Sequence, residues 1–473
     1  MSAAGALAAG GPVREALGTG APEAWVALDA AVRGPGAYGV VPGRAELWAA
    51  DGTGPGGESW LALALCHADG RVREVAVRRA AGRPELLPLL VLRAADWAGP
   101  VREAARDVLR DRLGPDTAVA LAPLVVRVAR QERGAYALDL LTGVLRRAGR
   151  DALGALLAGD DRDARRLAYR LAVTDGLFTP ADLARAADDP DVVVRRLGTE
   201  AALAAVRNGG AYDDVLGALL GARDPGVRAA GVTALRAAGR AGEATAFLTD
   251  RAAGVRACAR YVVRAAGADP LAWYRRRCAD VREPLLPPGA VAGLAECGER
   301  AVDADTLRAL LTHPAPGVRA RAVDGLRVLD VTDVPLLWPL LDDPAPAVTR
   351  RVAEALAPSA RLLDAAGLTE RLAPGRPRHV RLAAVRLLGA YGGVAGLRAL
   401  VGVLDDPDEA LRRRAEERVR RWRVTADVRR GVVAGPDAAA EAVEVAALLE
   451  RIGPVAGADG VRRLRWEAGL PAR

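Results

Sequence analysis

Residues 313–329 read HPAPGVRARAVDGLRVL, a proline-rich turn followed by a hydrophobic residue, an arginine, two variable residues and a small residue. The same phrase recurs as DDPDVVVRRLGTEAAL at 188–203 and as RDPGVRAAGVTALRAAG at 223–239. We call the arginine that directly follows this hydrophobic residue the marker arginine of its unit. Marker arginines stand at positions 73, 102, 165, 195, 228, 256, 319, 381 and 412. Self-similarity at a fixed period indicates an array of small stacked units rather than one closed globule.

The marker positions define a period of about 31 residues. Three of the intervals between them are twice as long as the others, so each of these predicts one degenerate unit. The degenerate units are expected near Gly134, near Pro287 and at Val348-Thr349, where the arginine has slipped by one position.

Each unit is predicted to be a pair of short helices. In residues 331–357, the apolar residues Val334, Leu337 and Leu341 recur at helical spacing, and a second such stripe follows the break at 342–346. Aspartate before proline, as in Asp189-Pro190, predicts a helix N-terminus, because the carboxylate can cap free N–H groups. No strand-like alternation persists, so a sheet is not expected.

The predicted fold class is an all-α, right-handed α-solenoid of about a dozen stacked two-helix repeats. Residues 1–58 are expected to be an irregular Gly- and Pro-rich lead-in. It should contain one helix over 21–33, with Trp25, Leu28 and Val32 on one face, and a loop over 34–57. Residues 59–425 are expected to form the repeat array, and 426–473 a helical pair that caps it.

The composition limits what the positive charge can mean. The net charge is +8 and the pI about 9.9, but every basic residue is arginine, and the chain has one Ile and one Asn. Such usage is typical of a GC-rich genome. The basic pI is therefore weak support for a surface that binds polyanions.

The chain shows no sign of export or membrane insertion. Its four cysteines, Cys66, Cys258, Cys278 and Cys297, form no C-x-x-C pair and suit small buried residues of a reducing compartment. The first residues lack a basic segment typical of a signal peptide, and no uncharged apolar run approaches about 18 residues. A cytoplasmic protein without membrane contacts is expected.

The quoted units and their period resemble HEAT-like repeats, and most of all the short bacterial kind of the phycobilin lyases. The resemblance covers residues 60–425 and implies a ladder in which Arg and Asp of adjacent units pair. A guanidinium fork can bind a carboxylate through two parallel hydrogen bonds, which would fix the stacking angle. The implied ladder residues are Arg73, Arg102, Arg165, Arg195, Arg228, Arg256, Arg319, Arg381, Arg412, Asp189, Asp224, Asp343 and Asp406.

The sequence contains no recognisable catalytic set. His67, His313 and His379 stand alone beside turns, so a metal site is not expected. Paired carboxylates such as Asp342-Asp343 suit capping and ladder pairing better than acid–base catalysis. No nucleophile elbow, phosphate-binding loop or dinucleotide fingerprint occurs. We therefore expect no catalytic residues, no cofactor and no metal.

Arginine clusters are the strongest candidates for a binding site. In LRRRAEERVRRWR at 411–423, the apolar stripe Leu411, Ala415, Val419 and Trp422 leaves arginines on a flank. The candidates for gripping phosphates or an acidic peptide are Arg413, Arg414, Arg418 and Arg421, together with Arg275, Arg276 and Arg277. A third cluster contains Arg165, Arg166 and Arg170. The alternative is a solvated helix face whose arginines pair with glutamates of the same helix.

Three functions are compatible with these patterns. The leading hypothesis is a non-enzymatic scaffold that binds a partner protein or peptide, acidic if the arginines contact it, on a concave face lined by second helices. The first alternative is binding of duplex DNA, as in DNA-repair glycosylases built from HEAT-like repeats, although no match to their base-excising residues is present. The second is a bilin-lyase-like enzyme, which rests on the family analogy alone.

Overall fold

The computed structural model describes residues 2–18, 20–34, 57–209 and 211–471. Within those ranges the chain contains helices and turns but no strand. It divides into two compact units, Met1–Ala234 and Leu235–Arg473, which we describe one after the other. None of the helices in these ranges is both long enough and apolar enough to cross a membrane.

The first unit is built from short helices in close succession. In chain order they are α1 Ala3–Ala8, α2 Val13–Leu17, α3 Pro22–Arg33, α4 Gly57–Cys66, α5 Gly70–Arg79, α6 Leu87–Arg93, α7 Gly99–Arg112, α8 Pro115–Val128, α9 Ala135–Ala148, α10 Arg150–Ala158, α11 Arg162–Thr174, α12 Pro180–Ala184, α13 Val192–Gly209, α14 Asp213–Gly221 and α15 Pro225–Ala237. The unit boundary falls within α15. Short 3-10 helices at Ala80–Gly82, Pro84–Leu86 and Arg185–Asp188 adjoin α5, α6 and α12.

The second unit continues the succession with more 3-10 structure. Its helices are α16 Ala253–Ala265, α17 Pro270–Cys278, α18 Pro288–Cys297, α19 Arg300–Ala309, α20 Pro316–Val328, α21 Val334–Leu337, α22 Pro346–Leu356, α23 Ala365–Glu370, α24 Arg378–Tyr391, α25 Gly393–Val403, α26 Glu409–Arg421, α27 Ala426–Ala434, α28 Ala438–Arg451 and α29 Gly453–Ala468. The 3-10 helices are Ala241–Thr249, Leu310–Thr312, Trp338–Asp342 and Ala357–Leu362.

Consecutive helices pack in pairs, and the pairs stack. In the first unit α4 packs on α5, α6 on α7, α8 on α9, α10 on α11 and α12 on α13. In the second unit the pairs are Ala241–Thr249 with α16, α17 with α18, α19 with α20, Trp338–Asp342 with α22, α23 with α24 and α25 with α26. We call the later member of each pair its second helix. The second helices α18, α20, α22, α24 and α26 each pack on the next, so the predicted all-α fold of stacked helix pairs is confirmed.

Small residues allow the thin layers to approach closely. The buried core consists almost entirely of Ala, Val and Leu. At Gly293 a Cβ atom would lie 2.2 Å from the ring of Tyr274, a fully buried side chain. The Tyr274 hydroxyl donates to the carbonyl oxygen of Leu248 at 2.8 Å, which satisfies its polar end inside the core. Glycine is therefore required at position 293 for α17 and α18 to pack at this distance.

The ends of the chain are more helical than the sequence predicts. Helix α3 buries Trp25, Leu28 and Val32 as predicted, but α1 and α2 precede it and bury Leu7 and Val13 in the same core. The predicted loop over 34–57 falls on residues 35–56, which lie outside the described ranges. Three helices, α27 to α29, occupy residues 426–473 instead of the predicted pair. The boundaries at residues 58 and 425 stay predictions.

The aspartate before proline has a different role in most turns from the predicted helix cap. Helix α22 begins at Pro346, three residues after Asp343, whose Oδ1 accepts the N–H of Ala345 at 2.8 Å. Among the predicted ladder aspartates, Asp224 is the one that lies next to the first residue of its helix, α15, and it accepts the N–H groups of Gly226 and Val227. In the other turns the carboxylate shapes the turn two residues ahead and leaves an oxygen for another partner.

Candidate interaction surface

The marker arginine is the fourth residue of its second helix, and its guanidinium group bridges two turns. Nη1 of Arg319 donates to the carbonyl oxygens of His313 (2.8 Å) and Pro314 (2.9 Å) in its own turn. Nε and Nη2 donate to the carboxylate of Asp343 in the next turn, both at 2.8 Å. One side chain therefore closes its own turn and ties it to the following unit.

Four other marker arginines also pair with an aspartate of the next turn, although their hydrogen bonds differ in detail. The pairs are Arg73–Asp96, Arg165–Asp189, Arg195–Asp224 and Arg381–Asp406. Burial opposes ionisation of Asp224 and Asp406, but backbone N–H groups and the paired arginines hold the pKa of both carboxyls below its ordinary value. Asp96 was not among the predicted ladder residues because Trp97, not proline, follows it. Its position six residues before a marker arginine was the available signal.

Three marker arginines depart from the predicted pairing with aspartate. Arg102 pairs with Glu103 of its own helix at 3.3 Å. Arg256 pairs with Glu296 in the last turn of α18. Arg412 donates to the carbonyl oxygen of Asp406 but forms no ion pair with a carboxylate of the described residues. The last of the nine marker arginines, Arg228, donates to two carbonyl oxygens of its own turn, those of Ala222 and Arg223.

Charges in neighbouring units are matched. In the three degenerate units the fourth residue of the second helix is Leu138, Val291 and Thr349. In four of the five paired turns the residue six before the next marker position is aspartate, namely Asp96, Asp189, Asp343 and Asp406. After the degenerate units that residue is Gly159, His313 and Gly375. Where the arginine is absent, the aspartate at this one position of the next turn is therefore absent as well. This avoids a buried charge without a partner.

The first unit contains the most deeply buried part of the ladder. Arg73 is fully buried and donates Nε and Nη2 to Asp96 at 2.9 and 2.8 Å. Arg93 lies within 3.2 Å of Asp96 and 2.6 Å of Asp29. Burial raises the pKa of Asp29, and it raises the pKa of the nearby Cys66 thiol well above its ordinary value. These contacts hold the first helix pairs together and leave the thiol protonated at neutral pH.

A second set of ion pairs links half-buried charged groups on the second helices of the second unit. Arg321 lies 3.2 Å from Asp324 on α20, and Arg351 of α22 lies 3.4 Å from the same carboxylate. Arg351 also pairs with Glu354 at 2.8 Å, and Glu354 contacts Arg386 of α24 at 3.4 Å. We call this set, Arg321, Asp324, Arg351, Glu354 and Arg386, the second-helix charge row. It was not predicted from the sequence, although Asp324, Glu354 and Arg386 all stand five residues after the marker position.

The arginines of α26 divide into two kinds. Arg413 pairs with Glu409, and both Arg414 and Arg421 pair with Glu417, at 2.8 and 3.0 Å for the latter two. These three match the alternative of an ion-paired helix face. Arg418 forms no ion pair with any described residue, and its buried Nε has no hydrogen-bond acceptor. The four candidates therefore do not act as one equivalent set.

The cluster at the end of α17 is also divided. Arg275 donates to Asp303 through Nε (2.9 Å) and Nη2 (3.0 Å), and these bonds raise the pKa of its guanidinium group. Arg277 donates to the carbonyl oxygen of Leu285. Arg276 has no side-chain partner among the described residues. The three side chains therefore share no common partner among the described residues.

Two of the three histidines accept a backbone N–H in their own turns. Nδ1 of His67 accepts the N–H of Asp69, and Nδ1 of His313 accepts the N–H of Ala315, both at 3.0 Å. His379 contacts the carbonyl oxygen of Asp343 through Nε2 at 2.9 Å. In the part of the chain that the structure describes, no three His, Cys, Asp or Glu side chains are grouped to hold a metal ion.

An aromatic residue stands exposed on the second helix α16. Tyr261 is half exposed, and its hydroxyl lies 2.6 Å from Nη1 of Arg236. The guanidinium carbon of Arg236 lies 5.7 Å from the centre of the same ring. Two contacts thus order an exposed tyrosine and an arginine together.

Comparison with known proteins identifies no family. No family model matches the chain, and no curated protein matches it. Among solved structures, an engineered protein of the Northeast Structural Genomics Consortium is 18% identical over 76% of this chain and 97% of its own, with a TM-score of 0.23. The karyopherin Kap121p bound to Nup53p is 12% identical, with coverages of 85% and 53% and a TM-score of 0.34.

A third similar structure is a tumor overexpressed gene (TOG) domain array in a study of tubulin recruitment by microtubule polymerases. It is 10% identical over 85% of this chain and 97% of its own, with a TM-score of 0.23. The chain spans about half the length of Kap121p. Likenesses of this size carry no inference about partners.

Proposed function

We propose that this chain is a non-enzymatic scaffold that binds a partner protein along the second helices of its second unit. The observation that carries the proposal is the second-helix charge row, which crosses α20, α22 and α24 through contacts of 2.8 to 3.4 Å. Ion pairs between adjacent helices hold these half-buried charged groups in fixed positions before a partner binds. Such preorganisation lowers the entropy cost of association.

An exposed residue pair on α15 and α16 also suits a protein interface. Tyrosine and arginine are enriched among residues that dominate binding energy, and Arg236 and Tyr261 present both in one ordered contact. The alternation of acids and bases along the row offers charge complementarity, which gives specificity and faster association.

The same alternation favours a protein over duplex DNA. A duplex presents closely spaced phosphates to a binding surface, and each contacted phosphate requires a cation. Here Asp324, Glu354 and Glu417 lie between the arginines and would repel phosphates. We also propose, from the period of about 31 residues, that the units are HEAT repeats of the short bacterial kind.

Affinity capture with the full chain tests the proposed function. We expect a protein partner to be recovered at fixed stoichiometry from a lysate of the cell that makes this chain. A variant with Arg321→Glu and Arg351→Glu should lose the partner, because both changes reverse the sign of charges in the row. A matched variant, Arg112→Glu and Arg207→Glu, reverses two exposed arginines in the first unit and should retain it. Equal loss in both variants, or no stoichiometric partner under any condition, would contradict the proposal.

A further inference from the structure

We propose that Arg386 and Arg418 form a binding site for a carboxylate carried by an acidic segment of the partner protein. This inference rests on the proposed scaffold function and specifies the chemistry of one contact. The site lies on α24 and α26, within the second unit.

The site arises where the repeat pattern of charge is broken. Five residues after the marker position, the other second helices from α18 to α26 carry an acid: Glu296, Asp324, Glu354 and Glu417. Helix α24 carries Arg386 at this position instead. Each of these carboxylates pairs with arginines of its own or a neighbouring helix. Arginine at this position, as Arg386, therefore removes a hydrogen-bond acceptor and adds donors.

Arg418 is the side chain left without an acceptor. Its Nε is buried and has no hydrogen-bond partner, and no described carboxylate pairs with its guanidinium group. Partial burial lowers the pKa of Arg418, and Glu417 opposes this shift. Three nearby guanidinium groups act in the same direction as burial, those of Arg386, Arg414 and Arg421. The surroundings are therefore locally positive and would be stabilised by an added anion.

The backbone of α24 holds the Arg418 side chain in place. A Cβ atom at Gly389 would lie 2.6 Å from Cδ and 2.8 Å from Cγ of Arg418. The aliphatic stem of Arg418 therefore lies directly across the glycine, and its direction is set by packing. An arginine fixed in this way loses little rotamer freedom when it binds a ligand.

The carboxylates already present do not satisfy the cluster. Glu354 is shared between Arg351 and Arg386, and Glu417 is shared between Arg414 and Arg421. These two carboxylates thus pair with four guanidinium groups, and Arg418 is left without a carboxylate. One further carboxylate could pair with the terminal nitrogens of Arg418 through two parallel N–H···O bonds, while the buried Nε stays unpaired.

The surroundings favour an isolated carboxylate over a phosphate chain. Glu354 on α22 and Glu417 on α26 pair with arginines of the site and would repel the phosphates on either side of one that entered it. An acidic protein segment can place one carboxylate between them and direct its other side chains away. We therefore propose a carboxylate as the ligand. The experiment below also measures whether duplex DNA competes for the site.

Fluorescence anisotropy of a fluorescein-labelled hexaglutamate peptide with the full chain tests the site. We expect Arg386→Ala and Arg418→Ala each to weaken binding about tenfold, the size of a charge-assisted hydrogen bond. Arg327→Ala is the matched control, because Arg327 is exposed on α20 and has no partner among the described residues. It should change binding less than twofold.

Two further variants separate the site from loss of folding. Glu354→Gln releases Arg386 and should tighten peptide binding severalfold, a gain that misfolding cannot produce. Gly389→Ala should weaken it because the added methyl displaces the Arg418 stem, while the melting curve by circular dichroism stays cooperative. If Arg327→Ala weakens binding as much as Arg418→Ala, or if a 20-base-pair duplex competes better than the peptide at equal charge, the proposal is overturned.

The same variants distinguish this site from the wider function. If the captured partner is retained by Arg386→Ala and Arg418→Ala, the carboxylate site is wrong while the scaffold stands. If hexaglutamate binds as expected and the wild-type chain captures no partner, the site stands and the scaffold function is wrong.

Discussion

At the scale of the residue, the ladder arginine joins turn geometry to stacking. Arg319 donates to two carbonyl oxygens of its own turn and to both oxygens of Asp343, a buried carboxylate. Replacing it with alanine leaves that carboxylate without its cation. We expect Arg319→Ala to lower the free energy of unfolding by about 3 kcal/mol, as for other broken buried pairs.

Urea unfolding followed by circular dichroism measures this loss. Arg327→Ala, on the same helix but exposed, should change the unfolding free energy by less than about 0.5 kcal/mol. Arg319→Lys should recover only part of the stability, because a lysine ammonium cannot make the forked contact. Equal stability of Arg319→Ala and Arg327→Ala would show that the ladder contacts do not stabilise the stack.

A second residue-scale prediction concerns pH. Hydrogen bonds from Arg166 lower the pKa of Asp191 to about 2 against the opposing effect of burial. The usual value of about 3.9 applies to the unfolded chain. The lowered folded pKa contributes stability that is fully present above about pH 4 and is lost as the pH falls towards 2.

Asp191→Asn isolates this charge, since asparagine can still accept the N–H groups of Val193 and Val194 at the start of α13. We expect a loss of about 1 kcal/mol at pH 6, allowing for solvent screening, and roughly half of that at pH 3. Asp188→Asn, an exposed neighbour, should show no such dependence. A loss for Asp191→Asn that is the same at both pH values would refute the assignment.

At the scale of the element, the matching of arginine and aspartate between units makes a sharper prediction. His313 follows a unit whose fourth helical residue is Val291, and it accepts the N–H of Ala315 without adding a negative charge. An aspartate at position 313 keeps that acceptor but buries a carboxylate that no arginine meets. We expect His313→Asp to destabilise the chain by about 3 kcal/mol in urea unfolding.

Restoring the missing partner tests the same matching. The double variant Val291→Arg with His313→Asp should recover part of the lost stability, because position 291 corresponds to Arg319 in the next unit. If the second change deepens the loss, adjacent units are not matched through these two positions.

The elements also show what the sequence can and cannot predict. Helical spacing predicted the buried stripe Leu411, Ala415, Val419 and Trp422, because core packing acts directly on apolar periodicity. The 3-10 form of Ala241–Thr249 was not predictable, since neighbouring helices and not local propensity decide how tightly it winds. The second-helix charge row was missed because its partners lie about 30 residues apart and meet only after stacking.

At the scale of the whole molecule, the net charge of +8 does not make the chain a DNA-binding protein. Many of the described arginines are used in ion pairs, as on α26 and in the ladder. A 20-base-pair duplex should therefore bind no tighter than non-specific proteins do at physiological salt, about 10⁻⁴ to 10⁻⁶ M. Nanomolar binding of the duplex at 150 mM salt that is lost in Arg418→Ala would favour duplex binding over the scaffold function.

Hydrogen exchange of the full chain, alone and with its captured partner, tests the central claim most directly. If the chain is a scaffold of the proposed kind, protection on binding concentrates in α20, α22, α24 and α26, the helices that carry the charge row and Arg418. The paired first helices α19, α23 and α25 should exchange as before. Protection confined to those first helices, with no change in α20 to α26, would contradict the proposed function.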